Sequence, residues 1–157
     1  MASILMLASS AAAEQAWTVD PARSDVGISF VINENQTGGA FRRFEGSGEF
    51  DPEAPETAKV TLKFETGSFD TGETFVSEVV KSVDWLSVEE HPSATYVLTR
   101  LEPLGADRYR AIGDLTLRGK TREVVGEMRL KIEGGVARAE GRATLDRKAY
   151  GVGVGFT

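Results

Sequence analysis

His91 is the single histidine of the chain, and Pro92 follows it directly. A metal site needs several donors, and no Asp or Glu cluster stands at ligand spacing around this imidazole. The pair reads as a helix stop, because the residue before a proline is pushed out of the α region. There is no cysteine, which removes disulfides, thiol nucleophiles and thiolate metal sites together. No Gly-x-Ser-x-Gly elbow is present, and one loop histidine does not make a serine triad. Gly134-Gly135 and Gly151-x-Gly153-x-Gly155 lack the strand-to-helix setting of a phosphate loop and read as turns or a glycine-rich strand. Glu89-Glu90 reads as a solvated face. The chemistry-bearing residues thus point away from an enzyme, a metal centre or a cofactor.

The elements that would position a site belong to one domain of 157 residues. Apolar residues make up 41% and charged residues 27%, the mixture of a globular protein. A net charge of −6 argues against a nucleic-acid partner, which needs a basic stripe to displace counterions. It equally disfavours docking of the whole molecule on an anionic membrane. Residues 1–13 hold a short apolar run, Ser3 to Ala8, and small residues ending in Ala11-Ala12-Ala13. This is the tail of a secretory signal peptide in form, although the basic n-region is missing. It predicts export to the periplasm and a mature domain over 14–157; a cloned leader or a disordered tail is the other reading. No other segment approaches the ~20 apolar residues of a membrane span.

From Trp17 onward the dominant period is two, the signature of strands with one buried face. Val26, Ile28, Phe30 and Ile32 alternate with Gly27, Ser29 and Val31. Phe44, Gly46, Gly48 and Phe50 share a face, as do Val60, Leu62 and Phe64. Tyr96 and Leu98 open another strand. Tyr109 to Leu117, Val124 to Ile132 and Ala137 to Leu145 continue the pattern. Turn residues fall between them at 51–55, 104–107, 118–120 and 133–135. Seven or eight strands joined this tightly predict an all-β antiparallel meander, and closing it into a barrel removes the exposed edges.

One stretch changes period. Between Gly72 and Pro92, Phe75, Val79, Val83 and Leu86 step by about a helical turn, which predicts one helical insertion. With Trp85 these residues are expected to cap one barrel end, and to serve as the lid through which a ligand enters. Trp85 and Tyr96 offer polar tips for a ligand headgroup.

The expected inward faces carry small side chains: Gly46, Gly48, Ala111, Gly113, Gly126, Ala137, Ala139, Gly141 and Ala143. An eight-stranded barrel is filled by its own side chains or, where these are small, holds one ligand. Two readings stand: an apolar cavity, or glycines placed where a curved sheet bends. In a cavity, each buried methylene contributes about 0.8 kcal/mol, so a long hydrocarbon binds without a charged anchor.

Six motifs in order give the chain a likeness to a known family. They are Trp17-Thr18-Val19-Asp20; Phe44-Glu45-Gly46 with Phe50-Asp51; Ser68-Phe69-Asp70-Thr71-Gly72; Val83 to Pro92; Gly113-Asp114-Leu115-Thr116-Leu117-Arg118-Gly119-Lys120-Thr121; and Leu145-Asp146-Arg147-Lys148-Ala149-Tyr150-Gly151. The chain resembles the YceI-like family of periplasmic polyisoprenoid-binding proteins of lipocalin-like fold. The resemblance implies a barrel holding an isoprenoid or quinone-like lipid, with a membrane b-type cytochrome as partner of some members. On that reading Phe30, Phe44, Leu62, Phe64 and Phe75 line the pore with Val79, Leu98, Leu115 and Met128.

Two departures stand out. The basic-acidic-His run at the start of the family's helix is here Ser77-Glu78-Val79-Val80-Lys81, and the chain stops at Thr157, where the family adds a strand. A missing last strand leaves an open edge, to be closed by swapping or pairing in a homodimer. The rival function is therefore a protein-interaction module with a packed barrel and a sticky edge.

Overall fold

In the computed structural model of the chain, residues 2–8, 15–32, 34–51 and 53–155 are described. The chain opens with strand β1 (Ala2–Ala8) and continues into β2 (Gln15–Val19) and β3 (Asp25–Ile32), two arms of one bent strand. Their bend is a short 3-10 turn, Pro21–Arg23. Pro21 presets the helical φ, and the Asp20 carboxylate accepts from the Ala22 N–H at 3.0 Å. A second bent strand follows as β4 (Asn35–Phe41) and β5 (Phe44–Asp51), with β3 paired to β4 and β2 to β5. Next come β6 (Ala54–Glu65), a turn at Thr66–Ser68, the two-residue β7 (Phe69–Asp70) and helix α1 (Thr74–Lys81). The meander β8 (Ser93–Gly105), β9 (Arg108–Leu117), β10 (Lys120–Glu133) and β11 (Val136–Arg142) leads to a last 3-10 turn, Arg147–Tyr150.

The result is a curled antiparallel sheet whose edges meet. The neighbours run β11–β10–β9–β8–β6–β5–β2–β1, and β1 pairs back onto β11. One edge of β1 pairs with β11 from Ala2↔Gly141 to Leu7↔Val136. Its other edge meets β3 at Ala2 and Ser3, then β2 from Met6 to Ala8. Eight strands thus form a hydrogen-bonded ring, and β3, β4 and β7 branch from it as a flap. The slot expected to be empty is taken by residues that read as a leader.

The β9–β10 and β10–β11 hairpins turn as their residues predict. Arg118 and Gly119 have φ of 52° and 71°, and Gly134 and Gly135 have 58° and 75°. Two successive positive φ angles make a type I′ turn, whose twist matches the flanking strands.

The helix differs from expectation. α1 buries Ser77 and Val80, with Val76 and Val79 half-buried, while Phe75 is 80% and Val83 62% exposed. Ser82 ends the helix early: its N–H and its hydroxyl both turn back to the Val79 carbonyl, at 3.1 and 2.6 Å. Val83 and Leu86 therefore never share a helical face with Phe75. Polar anchoring fixes the face that does turn inward, because Ser77 Oγ accepts from the Thr71 N–H at 2.9 Å. β11 likewise stops at Arg142, so Ala143 and Leu145 leave the inward row and are exposed.

Candidate functional site

One end of the sheet is stoppered. Trp85, 2% exposed, stands against Phe30 with ring centres 5.7 Å apart. The guanidinium of Arg147 lies over the indole and donates to the Val152 carbonyl at 2.9 Å and to that of Gly153. Gly153, at φ 60°, sits where a Cβ would come within 2.9 Å of the Trp85 ring, and its N–H donates to the Asp84 carbonyl at 2.8 Å. Arg118 on the β9–β10 turn donates to the Gly151 carbonyl. The C-terminal turn is thereby laced to the post-helix segment and to the hairpin. Tyr150 and Val152 are buried beneath it.

A second knot holds the helix to the bend between β4 and β5. Ser68 Oγ accepts from the Arg43 N–H at 3.0 Å and donates to the Glu65 carbonyl at 2.6 Å. Asp70 accepts from the Gly72 N–H at 2.9 Å and from Arg42 at 3.2 Å. The Gly72 N–H, with Arg42 beside it, holds the Asp70 carboxyl below the ordinary aspartate value. His91, half-buried, belongs to this architecture too: its N–H donates to the Ser87 carbonyl and its own carbonyl accepts from Thr66 Oγ1. Among the described residues, no three His, Cys, Asp or Glu side chains gather at metal-binding distance.

The concave face has two halves. On β5, β6 and the first half of β8, Phe44, Val60, Leu62, Phe64, Ala94 and Leu98 are buried against Trp17 and Phe41. On β9 and β10 the inward row stays half-buried although it packs on the same core: Tyr109, Leu115 and Leu117, then Met128, Leu130 and Ile132. Phe30, Val79 and Tyr96 continue this half-covered wall. Burial pushes the Tyr96 phenol above its ordinary pKa, and Asp114 adds to the shift, so the hydroxyl stays protonated.

The glycines do not make this space. A Cβ on Gly46 would lie 2.5 Å from Leu62 and 2.6 Å from Val19; on Gly113 it would lie 2.5 Å from the Tyr96 ring. At Gly126 the Arg142 carbonyl is 2.6 Å away. These residues admit a neighbour's close approach, so at these positions the small side chains leave room for packing and not for an open cavity. An open groove of about 640 Å³ lies along the β4–β5 bend, with Phe44 and Val88 among Arg42, Arg43, Glu45, Lys63 and Glu65. Its charged rim is unlike the apolar tunnel that the sequence suggests.

The expected ligand residues accordingly fall into three groups. Phe30, Val79, Tyr96, Leu115 and Met128 stand together on the half-buried wall. Phe44, Leu62, Phe64, Trp85, Leu86 and Leu98 are core. Phe75 and Val83 face solvent, away from the half-buried wall. Sequence reading also passed over Leu117 and Leu130 as site residues, although their place in the same period-two rows as Leu115 and Met128 marks them.

A curled eight-strand ring with a stoppered end and an apolar concave wall defines a lipocalin-like β-barrel. The family model for the YceI-like domain matches residues 17–156, and the chain belongs to that family. A UPF0312 protein of Azotobacter vinelandii is 37% identical over 120 residues, which are 73% of this chain and 62% of the relative. One from Pseudomonas savastanoi pv. phaseolicola is 31% identical over 140 residues, 85% of this chain and 70% of its own. Among solved structures, BcnA of Burkholderia cenocepacia superposes with a TM-score of 0.79 at 30% identity, over 85% of this chain and 84% of its own. A domain from Saccharophagus degradans, described as polyisoprenoid binding and implicated in plant cell wall breakdown, shares the fold. Its TM-score is 0.62 at 12% identity, covering 98% of this chain and 78% of that one.

Proposed function

We propose that this chain binds a long apolar lipid of the isoprenoid or quinone type along its concave face, and that it carries or senses that lipid instead of transforming it. One observation carries the reading: the inward apolar row of β9 and β10 packs on the core yet keeps part of its surface uncovered. A hydrocarbon laid on that row would gain about 0.8 kcal/mol per methylene removed from water. Membership of the YceI-like family and the binding described for the Saccharophagus degradans domain support the same reading. The rival, pairing of a partner along the β11 edge, would need the edge that β1 holds in this structure.

Native mass spectrometry of the protein from its host, with extraction of bound lipid, tests the proposal. A one-to-one adduct is expected, together with a rise in Tm on adding a prenyl quinone or a polyprenol. Empty protein and an unmoved Tm with both probes would overturn it. We also place the chain in the exported compartment, on the strength of the leader-like run up to Ala13; if residues 1–13 are removed on export, β1 goes with them and the β11 edge opens. The intact mass of the protein in a periplasmic extract reads out both compartment and processing.

A further inference from the structure

We propose that the wall ends in a binding site for an anionic headgroup, formed by Lys120 and Arg122 with Arg118, so that the favoured ligand is an amphipathic lipid acid. This deepens the lipid-binding reading and rests on it. In the β9–β10 register Lys120 stands opposite Leu117, and Arg122 opposite Leu115. Residues directly opposite in an antiparallel pair share a face. That face is the one on which Leu115 and Leu117 pack against the core, and Tyr96 stands opposite Leu115 in the next strand. Two cations therefore continue the apolar row at the stoppered end of the sheet.

Their charge converges. The Arg118 and Lys120 cationic groups each lie 3.6 Å from the point where a Cβ on Gly151 would sit. Arg122 is close enough to Tyr150, the preceding residue, to oppose the upward push of burial on that phenol. Among the described residues none of the three cations is in an ion pair. Asp114 and Glu123 face each other on the opposite side of the sheet. Asp84 lines a cleft of about 360 Å³ together with Arg118 and Gly151, and among the described residues it forms no ion pair with Arg118. Three cations gathered without a carboxylate partner, in a chain of net charge −6, are poised to meet an anion. Long basic side chains at the end of an apolar surface keep their heads in water while their stems cover hydrocarbon, which suits an acid whose tail lies on the wall.

The test titrates the full chain with hexadecanoic acid, hexadecyl phosphate and hexadecan-1-ol, following tryptophan fluorescence below the micellar range. Both acids are expected to bind about tenfold more tightly than the alcohol at low salt, with the gap narrowing as salt screens the cations. In the K120Q/R122Q variant the ratio of acid to alcohol affinity should fall close to one; circular dichroism confirms that the variant is folded. The stronger of the two acids assigns the headgroup as carboxylate or phosphate. Equal affinity for acids and alcohol, or a ratio unchanged in K120Q/R122Q, would overturn the headgroup site while leaving lipid binding intact. Failure of all three probes in protein that does take up a prenyl quinone or a polyprenol would overturn the headgroup site alone, and failure of those two as well would overturn both readings.

Discussion

The Arg147 guanidinium lies 5.1 Å from the centre of the Trp85 ring, joining the C-terminal turn to the segment after the helix. The same guanidinium donates to the Val152 carbonyl at 2.9 Å, so one side chain holds the stopper by stacking and by hydrogen bonds at once. Replacing it with methionine keeps bulk and removes both. Arg147→Met should cost about 1–3 kcal/mol, read as a lower urea midpoint with an unchanged slope. Arg147→Lys should recover only part of the loss, since an ammonium lacks the planar fork.

Gly46 and Leu62 are register partners, and the leucine occupies the room a Cβ on the glycine would need. Gly46→Ala should destabilise by about 1–3 kcal/mol through overpacking. Leu62→Ala should cost about 2–5 kcal/mol through a cavity. In the double variant the new methyl enters the vacated space, so the sum of the single effects should exceed the combined one. Additive losses in a thermal or urea cycle would contradict the packing described.

Much of this packing was legible in the residues, and the reasons for the rest are physical. Period two marked Phe44, Leu62 and Phe64 as inward, and all three are buried. Turn chemistry located the hairpins at Arg118-Gly119 and Gly134-Gly135 because positive φ angles select glycine strongly. The pattern could not show what lies against a glycine, since Leu62 reaches Gly46 from a different strand. Nor could it show that Ser82 would end the helix before Val83, or that Ser77 would anchor the inward face and leave Phe75 in solvent. The placing of Lys120 and Arg122 opposite Leu117 and Leu115 likewise appears only in the register between two strands.

Phe75 and Val80 lie on one short helix with opposite burial, one 80% and the other 3% exposed. Phe75→Ser should change stability by less than about 0.5 kcal/mol. Val80→Ala should cost about 2 kcal/mol, because its side chain leaves a filled site. A large loss at Phe75 would mean that the helix turns its other face to the core.

Asp70 should act in acid. Its carboxyl titrates lower in the folded chain than the ordinary value of about 3.9, chiefly through the Gly72 N–H. A depressed folded value contributes stability that is present above the unfolded pKa and is lost as pH falls through the folded one. Asp70→Asn should therefore melt lower than the parent at pH 7. The two melting curves should converge below about pH 4. A gap that persists unchanged at pH 3 would assign the effect to packing.

The pairing of Ile4 with Ala139 joins residues almost a whole chain apart. During synthesis β1 is made well before β11, the strand whose edge it must find. Ring closure therefore joins one short strand to a distant edge, a non-local pairing of the kind that slows folding.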